Sequence, residues 1–264
     1  MAKKLNYLNR HYPQIVRQFG DFFCYFAPNS NKMKRAFLAL TTALILASCA
    51  KESQKNLQID GNITGLKKGT LYIQRLQDTV LVAIDTIDLR GSSKFSTNID
   101  IESPEMLYLF LDRGVTNTID NNLPFFAEPG KMTIDTDLKT FYAKAKITGS
   151  KNQELYDEFK KVKSRFTEKN LDITEEELAA YKNNKQIATQ ERYDANLKRQ
   201  YLYAINFALN NKEYEIAPYI ALSEIPDANI KYLDTIQKSM SDKVAASKYG
   251  KMLTQYIQDI KSQK

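Results

Sequence analysis

Ile147-Thr148-Gly149-Ser150-Lys151-Asn152-Gln153-Glu154-Leu155 is the stretch in which the chain changes its period. Ahead of Gly149, apolar residues come in short runs that alternate with polar ones. Behind it they recur every three or four positions, so that Leu155, Phe159, Val162 and Phe166 share one helical face. Ser150 followed three places later by Gln153 matches a capping box, in which the Ser hydroxyl and the Gln side chain reciprocally satisfy backbone amides at a helix start. The switch predicts an α+β protein, with an antiparallel β-sandwich-like domain over 57–149 followed by a helical domain over 150–264.

Upstream of the switch, runs of Ile, Val, Thr, Tyr and Phe are separated by Gly, Asp, Asn and Pro, which is the punctuation of an all-β segment. Leu57 to Ile63 and Thr70 to Gln74, bracketing Gly65 and Gly69, are expected to form a hairpin. A strand over Val80 to Leu89 is expected to turn at Gly91-Ser92-Ser93 and return through Lys94 to Ile99. Met106 to Leu111 is nearly all apolar, as a central strand covered on both faces would be. Phe125 to Ala127, Met132 to Ile134 and Ala145 to Ile147 are the last strands. The polar Asp112 to Asn122 stretch is the best loop for contacts. Downstream, Thr174-Glu175-Glu176-Glu177 reads as a second capping box opening a long helix to Leu209. Asp227 reads as a cap before Ile230 and Leu233, and Tyr249 to Ile260 as an amphipathic closing helix.

Working further outward, Lys34-Arg35 precedes the uncharged apolar run Ala36 to Ala47, which is too short to cross a bilayer. Leu46-Ala47-Ser48 before Cys49 resembles the lipobox of bacterial lipoproteins. That resemblance implies signal-peptidase recognition through Leu46, Ala47 and Ser48, and lipidation of Cys49. Residues 33–48 then form the signal peptide, 49–56 the lipidated cysteine and its tether, and 1–32 an over-extended start, a genuine cytoplasmic extension being the alternative. The resemblance implies the cell envelope, with Ala50 after the cysteine resembling outer-membrane sorting and a surface-facing orientation left open. Membrane attachment would be through the lipid anchor.

Removal of the leader changes the charge account. Residues 1–48 hold 7 of the 38 Lys and Arg and 1 of the 31 Asp and Glu, which leaves 31 bases against 30 acids, a net of +1. No strong electrostatic case for nucleic acid or for an anionic membrane survives. His11 and Cys24 also lie in the leader, so the remainder has no His and no thiol once Cys49 is acylated. Ser-His, Cys-His and zinc chemistries therefore have no residues to run on, and no catalytic residue, metal or cofactor is assigned. Asp135 and Asp137 share a strand face and suit a hard cation, although an exposed polar face is the plainer reading. Lys160-Lys161-Lys163-Arg165 reads as a solvated helix face, since Glu154, Asp157 and Glu158 accompany it. Tyr193, Tyr201, Tyr203, Tyr214 and Tyr219 are suited to stacking on sugars or, more plainly, to helix packing.

Ile59-Asp60-Gly61-Asn62-Ile63-Thr64-Gly65-Leu66, Asp85-Thr86 leading to Gly91 and Lys94-Phe95, Pro104, Phe126-Ala127-Glu128-Pro129-Gly130-Lys131-Met132-Thr133-Ile134 and Ile147-Thr148-Gly149-Ser150 with Asn152, Tyr156 and Phe159 occur in that order. Together they resemble the domain of unknown function that precedes thioredoxin-like (redoxin) domains in Bacteroidetes envelope lipoproteins, over residues 57 to about 166. Ser92-Ser93 is an insertion where that family turns tightly. Relatives continue into a redoxin domain with a Cys-x-x-Cys site, and this sequence stops at Lys264 without one, so no thiol-disulfide role passes to a residue here.

The expected function is a membrane-anchored, noncatalytic binding or accessory module, with an envelope protein as partner and a link to redoxin systems. The small-molecule ligand is unknown. The rival is a carboxylate-dependent enzyme such as a glycosidase, which needs two acids facing across a cleft. The chain from Ser53 onward contains no sulfhydryl, so in an insulin-reduction assay it is expected to show turnover no greater than buffer.

Overall fold

The computed structural model describes residues 55–114 and 121–262, and Ser53–Lys264 is one compact unit. Leu46 to Cys49 and the question of the start at Met33 lie outside the described residues. So does the centre of the Asp112 to Asn122 loop. Eight strands are present among the described residues: β1 (Leu57–Thr64), β2 (Lys68–Gln77), β3 (Val80–Arg90), β4 (Lys94–Ile99), β5 (Glu105–Asp112), β6 (Asn122–Ala127), β7 (Gly130–Asp137) and β8 (Lys146–Thr148). They build two four-stranded sheets in the orders β4-β1-β7-β8 and β3-β2-β5-β6. All pairings are antiparallel except β1 with β7.

The expected hairpin between Leu57–Ile63 and Thr70–Gln74 does not form: β1 pairs with β4 and β7, and β2 pairs with β3 and β5. Gly65, at φ +89, lets the chain turn out of one sheet and into the other. Both strands can then bury an apolar face against each other across the sandwich. Lys94 to Ile99 likewise returns to β1 rather than to β3. The turn between them is fastened by Ser93, whose carbonyl accepts the Ile63 N–H at 2.8 Å and whose hydroxyl donates to Asn62 Oδ1 at 2.7 Å.

Period-two alternation sends Leu57, Ile59, Ile63, Leu71, Ile73, Met132 and Ile134 into the space between the sheets, where all are fully buried. Gly61 falls on that inward face because the Phe95 ring lies over it; a Cβ there would come within 2.4 Å of the ring. β5 is the central, doubly covered strand expected from its sequence. Leu107, Leu109 and Leu111 join the core between the sheets, while Met106 belongs to a second core shared with the helices. β6 divides in the same way, Leu123, Phe125 and Ala127 to one side and Phe126 to the other.

That second core is closed by α1 (Lys151–Lys182), α2 (Gln190–Asn210), α3 (Ile216–Glu224), α4 (Ile230–Ser239), the short α5 (Asp242–Ala245) and α6 (Lys248–Ser262). Two expected starts are corrected. Thr174 lies inside α1 and donates to the Asn170 carbonyl, because its flanks Asp172 to Lys182 are good helix formers with no breaker and the helix simply continues. Its successor begins at Gln190. Asn229, not Asp227, caps α4 by accepting from the Lys231 N–H at 3.0 Å. Asp227 instead accepts from the Tyr201 hydroxyl.

One cluster of side chains seats the helices on the sheet. Ser150 caps α1, its hydroxyl accepting from the Gln153 N–H at 3.0 Å. The Gln153 side chain does not reach back to close the box. Its Oε1 accepts from the Phe126 N–H of β6 at 2.7 Å, which joins α1 to a sheet edge. Asn152, with no exposed surface, donates from Nδ2 to Glu128 at 3.3 Å and to Glu215 at 3.0 Å. It also accepts the Ile216 N–H at 2.8 Å, tying the start of α3 to the start of α1. At the other end of the helical layer, Tyr249 of α6 accepts from the Met106 N–H at 2.9 Å. Lys248 meets Glu105 at 2.5 Å, and Arg75 holds the second oxygen of Glu105 at 2.7 Å.

The sandwich has two distinct ends. At the proximal end the chain enters: Asn56 accepts the Gly130 N–H on its carbonyl and exchanges side-chain hydrogen bonds with Ile101. The register places the β2–β3 turn, the β4–β5 and β6–β7 connections and the start of α1 at that end. The 64–68 turn, Gly91 and both flanks of the Asp112 to Asn122 loop are distal. From its proximal start α1 runs beside β6 toward Leu123, which lies against Asp157, Lys160 and Ser164. A helix of 32 residues is about 48 Å long, so its second half extends beyond the sandwich.

Gly149 sits at φ +94 with the position of a Cβ only 2.1 Å from the Lys131 carbonyl oxygen, whereas Gly91, at φ +81, has nothing within 4 Å. Urea midpoints are expected to place Gly91→Ala about 1 kcal/mol below the parent and Gly149→Ala about 3 kcal/mol below or unfolded; equal losses would refute the account. Asn152→Asp would set a third carboxylate beside Glu128 and Glu215. Burial and like charge raise that group's pKa above its unfolded value. The variant's deficit relative to the parent is therefore expected to be several-fold larger at neutral pH than near pH 4 in matched denaturant titrations.

Candidate functional site

Reactive chemistry needs polar groups left free, and those of the junction are committed. Glu128 and Glu215 are the nearest approach to paired carboxylates, but the Asn152 amide fills the place between them. Lys243 meets the remaining oxygen of Glu215 at 3.2 Å. Glu128 also accepts from the Ser150 hydroxyl at 3.0 Å.

Asp135 and Asp137 do share the outward face of β7. Asp137 is spent on the following turn, accepting from the Thr140 hydroxyl and from the N–H groups of Thr140 and Lys139 at 2.7 to 2.9 Å. These bonds, the Thr140 hydroxyl foremost, hold its carboxyl below the usual range. On the same sheet Asp60 is bound by Ser96 at 2.6 Å, Gln58 at 3.2 Å and Lys131 at 3.1 Å, and Ser96 does most to lower its pKa. Among the described residues no group of three or more His, Cys, Asp and Glu is placed to hold a metal ion.

Of the tyrosines singled out in the sequence, Tyr201, Tyr203, Tyr214 and Tyr219 pack against the second core, while Tyr193 belongs to the hydrogen bonds between α1 and α2. Tyr203 stacks on Phe159, and Tyr219 meets Phe126, Tyr156 and Tyr249 edge-on or tilted in the second core. Burial raises the Tyr156 hydroxyl to about 12 and moves Tyr219 and Tyr249 upward as well, so all three remain neutral at any physiological pH. Tyr201 is raised to about 12, chiefly by its bond to Asp227. Two members of the basic run on α1 have partners, Lys160 with Asp157 and the Tyr156 ring and Lys163 with Glu224. Beside it lies a shallow cleft of about 340 Å³ lined by Leu123, Tyr142, Lys160, Lys161 and Ser164 among others.

What remains uncommitted is the arm formed by the second half of α1 and the first half of α2. Its two helices are joined by polar side chains more than by a core. Asn196 donates to the Phe166 carbonyl and to Asn170 Oδ1, both at 2.8 Å. Tyr193 meets Thr174 at 3.0 Å, Arg192 pairs with Glu176, and Thr189 donates to Glu177. Ile173 is the buried apolar contact of the arm on α1. Leu171, Leu178 and Tyr181, spaced by seven and three residues, are exposed, Tyr181 to 77%; around the helix Leu171 and Leu178 lie opposite Ile173 and Tyr181 lies on the flank between. Ile187 and Leu197, elsewhere on the arm, are exposed as well. Sequence reading passed over this face. The signal was a second apolar stripe on one helix, at 171, 178 and 181, offset from the stripe at 155, 159 and 166.

Of the Asp112 to Asn122 loop, the flanks are described. Asp112 accepts the Gly114 N–H, and Arg113 donates to the Leu138 carbonyl at 2.7 Å. They place the loop at the distal end, the end past which the arm extends. Among the described residues no helix is long and apolar enough to cross a membrane.

Comparison with curated proteins and with solved structures finds no match for the chain. A family model described as a domain of unknown function (DUF4369) matches residues 57–156, from the first residue of β1 to the second turn of α1, and so takes in Gly61, Glu128, Gly149, Asn152 and Gln153. The part of the chain that forms the sandwich and seats α1 on it is thus the part that matches the DUF4369 family model.

Proposed function

We propose that the protein is a lipid-anchored envelope module that works by binding: acylated Cys49 holds it to a membrane, and the apolar outer face of the helical arm, with the neighbouring distal loop, engages a protein partner. The observation that carries the reading is the stripe of Leu171, Leu178 and Tyr181, exposed on the part of α1 that extends beyond the sandwich. Exposed apolar surface on an element whose own packing is mostly polar costs solubility unless a partner covers it. The lipobox-like Leu46-Ala47-Ser48-Cys49 supports the anchor, and the lack of His and of thiols beyond Cys49 supports action without chemistry of its own. A redoxin of the same envelope is the partner class that the domain's resemblance suggests. Among the described residues no arrangement of carboxylates around a cleft favours the glycosidase reading.

The test is photocrosslinking in the host cell with a reactive residue at Leu178 and, separately, at Val162 on the body side of α1. Position 178 is expected to yield one discrete adduct that disappears, with binding reduced about tenfold, in the Leu171→Asp/Leu178→Asp variant. Intact mass of the membrane fraction is expected to start at a diacylglyceryl-modified Cys49. An unmodified species retaining residues 1–48 would end the anchor reading, and absence of any adduct from the arm would end the binding one.

A further inference from the structure

The β2–β3 hairpin is longer than the sheet that supports it. β2 pairs with β5 as far as Arg75, opposite Leu107, and beyond that point Leu76 to Leu81 pair only with one another around a turn at Asp78, where φ is +54. The projecting tip carries Leu76 at 45% and Val80 at 61% exposure on opposite faces of the hairpin, and Val82 at 39% follows on the Val80 face, opposite Arg75. These are sizeable apolar side chains on a strand pair that no second core covers. The charged groups exposed around the proximal end are of both signs, with Asp78, Asp100 and Glu102 set against Lys131 and Lys151, so the tip is not the centre of a single-sign field.

Its position singles out an occupant. The tip lies at the proximal end, where Asn56 enters, and the segment from Ala50 to Asn56 that follows Cys49 is seven residues long. Fully extended, such a segment reaches about 25 Å. Resting on the reading of Cys49 as a lipid anchor, we infer that Leu76, Val80 and Val82 lie against the surface of the lipid bilayer to which the chain is tethered. Gln77, Asp78 and Thr79 keep the contact at headgroup depth. Three such side chains are a weak membrane signal alone, and paired with acyl chains they serve as the second of two attachments. Two attachments fix orientation where one leaves the body free to tumble, and they direct the distal loop and the arm away from the bilayer.

The chain has no tryptophan, so Val80→Trp introduces a lone reporter at an exposed position, with Leu197→Trp on the arm as its counterpart. Full chains purified from host membranes are reconstituted into phosphatidylcholine vesicles with or without brominated acyl chains. The indole at position 80 is expected to shift its emission to the blue and to lose about half of it to bromine, while emission from position 197 stays unchanged. Protein that floats with the vesicles while the position-80 indole stays unquenched overturns the inference and leaves the anchor standing. Protein that neither floats nor is quenched overturns both. A blue shift of the V80W protein in lipid-free solution that grows with protein concentration assigns the tip to a second copy of the chain and overturns the inference as well. Val82→Trp repeats the measurement should the first variant fold poorly.

Discussion

The hydrogen bond from the Phe126 amide to Gln153 fixes where everything helical goes. Phe126 lies on edge strand β6, and an edge amide with no partner must be bonded to water or capped. Here it is capped by a side chain from the first turn of a helix. That bond sets the start of α1 against the sheet, and the neighbouring Asn152 then sets the start of α3 against the start of α1. Burial of a fully desolvated amide among two carboxylates is tolerable only because each of its polar atoms is paired. The same pairing makes the arrangement specific, since a shift by one residue along α1 would put Lys151 or Gln153 in the place of Asn152 and leave the Ile216 N–H and the two carboxylates without their amide partner.

This junction explains why the β half and the helical half share a core although their sequences read as separate blocks. Met106 and Phe126 are strand residues by period and helix-core residues by environment. A strand with apolar residues at every position has two faces to bury, and the second sheet covers one of them. The doubly apolar run of β5 therefore announced that a layer would pack on it, and α1, α3 and α6 supply that layer.

The elements were legible where period and punctuation agree. The strands and the closing helix follow from alternation and from i, i+4 spacing. What alternation does not encode is which strand lies beside which. β1 and β2 have the pattern of a hairpin, yet Gly65 sends them into different sheets, and the pairing partners come from sandwich closure rather than from local sequence. The Gln153 side chain is a parallel case: the capping-box spacing was present, but a buried strand amide competed for the same oxygen and won. For the candidate surface, Asp135, Asp137 and the tyrosines were visible as residue types, and only the contacts show that Asp137 is spent on the following turn while Tyr203 and Tyr219 are spent on packing. The arm face was hidden because apolar residues on a helix are read by habit as core.

α1 passes from Ser150 to Asn183 without a Gly or a Pro, so it contains none of the usual sites at which a helix bends. Its first turn is bonded into β6 and its last lies beyond the sandwich. Such a rod is a lever with its fulcrum at the Phe126 amide. A sideways load at Tyr181 reaches the junction undiminished by any flexible joint, and a strain at the junction swings the tip through an arc several times larger than the displacement that caused it.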